Sequence, residues 1–110
     1  LYKVHSKLTQ VIRREAGSEV YYTHLGTGNY HPDTALQYTD LGLLTADSHL
    51  GSEVAAYFSW LAKGEKPKVA FKDILVAPHD MDHQFLKLIR AETQIQKSGG
   101  QGLALRSWLY

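Results

Sequence analysis

The 110-residue sequence contains no cysteine, which excludes a disulfide framework, a zinc–cysteine site and a thiol nucleophile. Net charge is nearly absent as well: 12 Lys and Arg against 11 Asp and Glu leave +1, so a polyanion would have to be held by local geometry and not by a bulk field. No apolar run approaches the ~18 residues that cross a bilayer, and no signal-peptide pattern opens the chain. A soluble protein of a reducing compartment is the expectation. What the chain does have is a globular balance, 44% hydrophobic and 21% charged, with enough length to bury a real core.

Both ends read as the middle of structural elements. Leu1-Tyr2-Lys3-Val4 resembles the opening of a strand, and Leu103 to Tyr110 is apolar and strand-like with no polar tail. The expectation is a piece cut from something larger. Between the ends, Lys3 to Arg14 is rich in Val, Ile and Thr and reads as a strand, and Glu19 to Leu25 reads as a second. Glu15-Ala16-Gly17-Ser18 is the turn that joins them into a hairpin. Pro32 suits the first turn of a short helix through about Tyr38, and Asp40 to Thr45 reads as another strand. Asp47 or Ser48 caps a helix with Leu50, Val54, Tyr57, Phe58 and Leu61 at helical spacing, ended by Gly64. The charged connection Glu65-Lys66-Pro67-Lys68 is the expected domain boundary, giving segments 1–66 and 67–110. Beyond it, Ile74-Leu75-Val76-Ala77 reads as a short buried strand, and Asp80 to Lys97 as a helix with Met81, Phe85, Leu88, Ile89 and Ile95 on its apolar face. Alternating strands and helices give an α/β layered fold.

The chemistry concentrates in the hairpin. His5 and Lys7 are two apart on the expected strand and so share a face. A two-residue loop at Ala16-Gly17 puts Glu15 opposite Ser18, Thr9 opposite His24, Lys7 opposite Gly26 and His5 opposite Gly28. The loop Gly26-Thr27-Gly28-Asn29 then arrives beside His5, with His24 on the same face. Such a grouping suits phosphate chemistry. A neutral imidazole is a competent nucleophile near neutral pH, and Lys7 disfavours its charged form while offering a cation to phosphoryl oxygens. Glycines let backbone N–H groups approach a phosphate, and Asn29 offers an amide donor. Taken singly, a strand histidine is usually packed or at the surface, and a Gly-Thr-Gly-Asn stretch is usually a turn; their combination is the signal.

Val4-His5-Ser6-Lys7, His24-Leu25-Gly26-Thr27-Gly28-Asn29-Tyr30 and Tyr38-Thr39-Asp40-Leu41-Gly42-Leu43-Leu44-Thr45-Ala46-Asp47 closely resemble the catalytic region of the polyphosphate kinase family, within the phospholipase-D-like group. The resemblance runs in order from Val4 to about Ile95. It implies a phospholipase-D-like layered sheet with flanking helices, with residues 1–66 the C-terminal part of a first such domain and residues 67–110 the start of a second. The implied reaction is reversible transfer of the terminal phosphoryl group of ATP to inorganic polyphosphate through a phosphohistidine. His5 matches the histidine that is phosphorylated, and Lys7 and Asn29 match signature positions lining the phosphate pocket. His24 matches a second histidine near the site, and Tyr38 a tyrosine that contacts the nucleotide. Gly26, Thr27 and Gly28 complete the phosphate loop. The family uses Mg²⁺, held by positions outside this chain, so no residue here is assigned as a metal ligand. ATP or ADP and polyphosphate are the implied partners, with no nucleic acid and no transmembrane segment, and the parent enzyme is expected to be a homo-oligomer, cytoplasmic or membrane-associated.

Two departures stand out. The acidic residue of the wider group falls at Ile12, as in the kinase branch, and Leu36-Gln37 stands where the family usually has Arg-Leu, removing a candidate phosphate contact. The alternatives are a phospholipase-D-like phosphodiesterase using the same nucleophile, against which the stretch from Tyr38 to Asp47 argues, and a catalytically inert fragment or interaction module. His79 and His83, four apart with carboxylates between, resemble a metal pair but sit at a helix start, where capping explains the acids. Lys63, Lys66, Lys68 and Lys72 read as a solvated connector, and Trp60 and Trp108 lack a basic groove between them.

Overall fold

The computed structural model describes residues 3–64 and 70–102. The chain divides into two compact units, Leu1–Ile74 and Leu75–Tyr110. The expected boundary at Glu65-Lys66-Pro67-Lys68 and the strand-like end from Leu103 lie outside the described residues.

The first unit is a small α/β assembly. Strands β1 (Lys7–Glu15) and β2 (Ser18–Gly26) form an antiparallel hairpin, followed by the single-turn helix α1 (Pro32–Ala35), strand β3 (Gly42–Thr45) and helix α2 (Ser48–Lys63). The sheet order is β1-β2-β3, antiparallel throughout. Its register follows from the tight loop. Ala16 and Gly17 take φ of +48° and +84°, the pair of positive values that a two-residue hairpin turn needs to match strand twist. Nine residue pairs then run from Glu15–Ser18 to Lys7–Gly26, as the turn dictates. β1 begins at Lys7, so the expected strand from Lys3 is too long by four residues: Gly26 ends β2, and upstream of Lys7 no partner remains for the ladder.

The pleat sorts the side chains. Leu8, Gln10, Ile12, Tyr21, Thr23, Leu25, Leu43 and Thr45 share one face; Lys7, Thr9, Val11, Tyr22, His24, Gly26, Gly42 and Leu44 share the other. Tyr21 and Tyr22 thus part to opposite sides. Helix α2 covers the first face, with Val54 and Thr23 fully buried between the layers and Phe71 nearly so. Gly51 brings helix and sheet into contact, because a Cβ there would overlap Tyr21. The amide of Gln10 seals the seam, donating to Thr23 Oγ1 at 2.9 Å and to the Gly51 carbonyl at 2.7 Å. Satisfied this way, the polar groups do not penalise burial.

Helix α2 is bounded as its sequence suggests. Asp47 accepts from the Leu50 amide at 2.8 Å, and Gly64 at φ +71° closes the last turn with its amide on the Trp60 carbonyl. One contact of α2 has no sequence signature. The Glu53 carboxylate accepts the consecutive amides of Lys72, Asp73 and Ile74 at 2.6, 2.9 and 3.0 Å. The strand expected over 74–77 does not form: the Ile74 amide is on Glu53 and the Val76 amide on Asp80, and no neighbouring strand is present among the described residues.

The second unit is built on helix α3 (Met81–Lys97). Ahead of it, the Val76 carbonyl accepts the amides of His79 and Asp80, forming the entry turn. Asp80 does not cap α3 with its side chain as expected; its Oδ1 faces the Val76 amide at 3.4 Å. The helix ends where Gly99 reaches φ +79° and the Gly100 amide bonds to the Ile95 carbonyl. The apolar stripe Phe85, Leu88, Ile89 and Ile95, expected in a core, is exposed.

Candidate phosphate site on the open face of the sheet

The sheet face away from α2 carries most of the expected site. Lys7 begins β1 and pairs with Gly26, while His24 pairs with Thr9 on one side and Leu44 on the other. His5 lies just before the strand, yet its ring meets Lys7: the ammonium stands 3.2 Å from Nδ1 and 3.0 Å from Nε2, and donates to the His5 carbonyl at 2.9 Å. A neutral imidazole has one accepting nitrogen, so one of the two ring contacts is a hydrogen bond and the other is proximity. The cation thus stands against the ring, within reach of both nitrogens. Ser6 faces elsewhere. Its hydroxyl lies 3.0 Å from that of Tyr57 on α2, so the residue between His5 and Lys7 is tied to the helix.

His24 is held from three sides. Its Nδ1 is 2.6 Å from the Tyr30 hydroxyl, and the two rings are tilted with centroids 5.6 Å apart. Beneath the ring lie the facing glycines Gly26 and Gly42. A Cβ on Gly42 would come within 2.7 Å of Nε2, and one on Gly26 within 3.2 Å of Cε1. The glycine pair is therefore a slot for an imidazole, a reason that the notion of backbone approach to phosphate does not include.

Thr27 and Gly28 are engaged by the start of the β3 segment. The Thr27 amide bonds the Leu41 carbonyl at 3.0 Å, and its hydroxyl donates to Asp40 Oδ1 at 2.9 Å while accepting the Leu41 amide at 3.0 Å. A Cβ on Gly28 would overlap the Asp40 carboxylate. Asn29 and Tyr38 are exposed and, among the described residues, their side chains make no hydrogen bond with another site residue. The structure thus joins His5 with Lys7, His24 with Gly26, and Thr27 with Asp40, leaving Asn29 and Tyr38 open to solvent. Leu36, in place of the family arginine, is 88% exposed.

Sequence reading missed Tyr30, Gly42, Asp40 and Tyr57 as site supports. Tyr30, Asp40 and Gly42 stand within the motifs already singled out, but nothing in their spacing names their partners. Among the described residues, no group of three or more His, Asp or Glu side chains is placed to hold a metal ion. No described helix is long and apolar enough to cross a membrane.

Comparison with known proteins identifies the family. The family described as polyphosphate kinase C-terminal domain 1 matches residues 1–67. The chain is 40% identical over 101 residues to a polyphosphate kinase of Exiguobacterium sibiricum, covering 91% of this chain and 14% of that protein. It is 39% identical over 105 residues to one of Vibrio parahaemolyticus, covering 94% and 15%, and 40% identical over 100 residues to one of Bacillus cereus, covering 91% and 14%. The chain spans about one seventh of the length of these curated relatives. With a matched hairpin, loop and β3 segment, it belongs to the polyphosphate kinase family.

Proposed function

We propose that this chain is the phosphoryl-accepting segment of an ATP–polyphosphate phosphotransferase, part of a phospholipase-D-like layered domain and the start of a second. The observation that carries the proposal is the direct contact of the Lys7 ammonium with the His5 ring, at the mouth of a strand whose Lys7 pairs with Gly26 of the loop. A ring nitrogen of His5 attacks the terminal phosphorus of ATP; the N–P bond forms as the P–O bond breaks, and ADP leaves with the electron pair. A terminal oxygen of polyphosphate then attacks the phosphorus, and the P–N electrons return to the ring.

Lys7 exchanges its hold on the imidazole for the non-bridging phosphoryl oxygens, where charge develops. Asn29 and the amides of the Gly26–Gly28 loop add donors, Tyr38 contacts the nucleotide, and His24 stands by on the same face. Mg²⁺ would offset phosphate charge when held by parts of the enzyme outside this segment. In this reading the parent enzyme is a cytoplasmic homo-oligomer, and residues 1–110 alone turn over negligibly.

The test is phosphoryl capture by the complete enzyme. With ATP labelled in its terminal phosphate, wild type acquires an acid-labile, alkali-stable adduct and His5→Ala does not. An undiminished adduct in His5→Ala removes His5 from the mechanism. Label absent from both, with diester cleavage in its place, would favour the phosphodiesterase.

A further inference from the structure

The loop between β2 and β3 is closed on itself by a clasp whose parts sequence spacing does not connect. Thr27 and Leu41 exchange bonds in both directions, amide to carbonyl and amide to hydroxyl, each at 3.0 Å. The Thr27 hydroxyl has one proton to give. Its two acceptors are Asp40 Oδ1 at 2.9 Å and the Leu41 carbonyl at 3.4 Å, and the shorter, charge-assisted bond takes it. The other half of the carboxylate rests against the bare α-carbon of Gly28, where a Cβ would overlap Oδ2 and Cγ and stand 3.0 Å from the Asp40 Cβ. Gly28 is not among the glycines with positive φ, which are Gly17, Gly64 and Gly99, so a left-handed backbone is not what requires a glycine there. The carboxylate does.

We infer that Asp40 is a positioning residue of the proposed phosphoryl-transfer site: through the Thr27 hydroxyl and the open side of Gly28, it fixes the loop that carries Asn29 to the segment that carries Tyr38. This rests on the reading given under Proposed function. Tyr38 lies two residues before Asp40, and Asn29 one residue after Gly28. A single carboxylate thereby sets the spacing between a nucleotide contact and a phosphate contact. A negative charge beside a phosphate loop is electrostatically unfavourable, which points to a role as hydrogen-bond acceptor and not as a charge.

A double-mutant cycle in the complete enzyme, read by ATP-dependent polyphosphate synthesis, separates this from a glycine kept for phosphate approach. Gly28→Ala is expected to lower kcat/KM by about 100-fold in the wild-type background, the size of a displacement near 1 Å in a reacting site. In the Asp40→Gly background the same change costs less than about threefold, because the obstacle is gone. Asp40→Asn, whose amide oxygen still accepts from Thr27, stays within about threefold of wild type. Thr27→Val, which keeps the shape and loses the bond, raises KM for ATP more than it lowers kcat, and Thr27→Ser restores it. This pair decides the matter if Asp40→Gly fails to fold.

An equal cost of Gly28→Ala in both backgrounds assigns the glycine to the ligand and overturns the inference. So does an Asp40→Asn enzyme as poor as Asp40→Gly, which would make the charge itself necessary. A wild-type enzyme that makes no polyphosphate would instead sink the functional reading. Slow exchange of the Thr27 and Leu41 amides, accelerated in Asp40→Gly, would still report the clasp.

Discussion

Replacing Gly42 by alanine tests whether the glycine pair beneath His24 serves the imidazole. The added Cβ would stand 2.7 Å from Nε2, against an ordinary carbon–nitrogen approach of about 3.5 Å, so the ring must retreat by about 0.8 Å. The contact is with the far end of a rotatable side chain and not with backbone, so the fold absorbs it. Straight retreat from the Nε2 side, however, would drive Nδ1 into the Tyr30 hydroxyl, already 2.6 Å away, so the ring must swing aside and that bond is lost. The stability lost is that of one exposed hydrogen bond, on the order of 1 kcal/mol or less, or a few degrees in Tm. The activity lost is larger, since displacements near 1 Å in a reacting site lower rates by about 10- to 100-fold. Thermal melts and steady-state polyphosphate synthesis by the complete enzyme, measured side by side, check the pair of numbers. A Gly42→Ala enzyme with wild-type kcat/KM refutes the slot, and so does a loss of activity that merely tracks a large loss of Tm.

Further outcomes follow from contacts of the same kind. Gly51→Ala gains about 1 kcal/mol of helix propensity but drives a methyl group into Tyr21, and such overpacking costs about 1–3 kcal/mol. Strain on the Gln10 bond to the Gly51 carbonyl adds to that, so chemical unfolding followed by circular dichroism should show net destabilisation, and a midpoint at or above wild type would contradict it. Ala16→Asn places at φ +48° a residue that tolerates the left-handed region, and the hairpin gains about 0.5–1 kcal/mol in the same assay. An unchanged midpoint would mean that the turn is not strained. Leu36→Arg replaces a side chain that is 88% exposed and packs against little, so stability is unaltered. If the family's arginine reaches phosphate, kcat/KM for ATP rises by about 10-fold, the worth of one charge-assisted bond.

How much of this could be seen in the residues depends on the range of the interaction. The hairpin register was legible because Ala16-Gly17 fixes it locally, and every pair down to Lys7–Gly26 followed. Helix α2 was legible for the same reason, with Asp47 and Gly64 marking its ends and Val54 its buried side. The run from Ile74 to Ala77 was misread as a strand because four apolar residues carry no periodicity to tell a strand from a turn. Glu53, some 20 residues earlier, takes the amides of Asp73 and Ile74, Asp80 takes that of Val76, and no local pattern announces such contacts. The site divides likewise. Lys7 and His24 stand where period and register put them, whereas His5 precedes the ladder, does not pair with Gly28 as expected, and meets Lys7 through its side chain. The residue between them, Ser6, is held by Tyr57, 51 residues away. A glycine in a motif says only that something needs room. Whether phosphate, imidazole or carboxylate occupies that room is a three-dimensional fact.

The triple acceptance by Glu53 bears on how the chain passes from its first unit to its second. Gly64 terminates α2, and eight residues later the backbone is fastened to the middle of that helix. Both ends of the intervening stretch are thus moored independently of its length. Doubling that stretch would add only about 0.6 kcal/mol of closure entropy. A longer or shorter connection would leave the amides of Lys72, Asp73 and Ile74 on the same carboxylate.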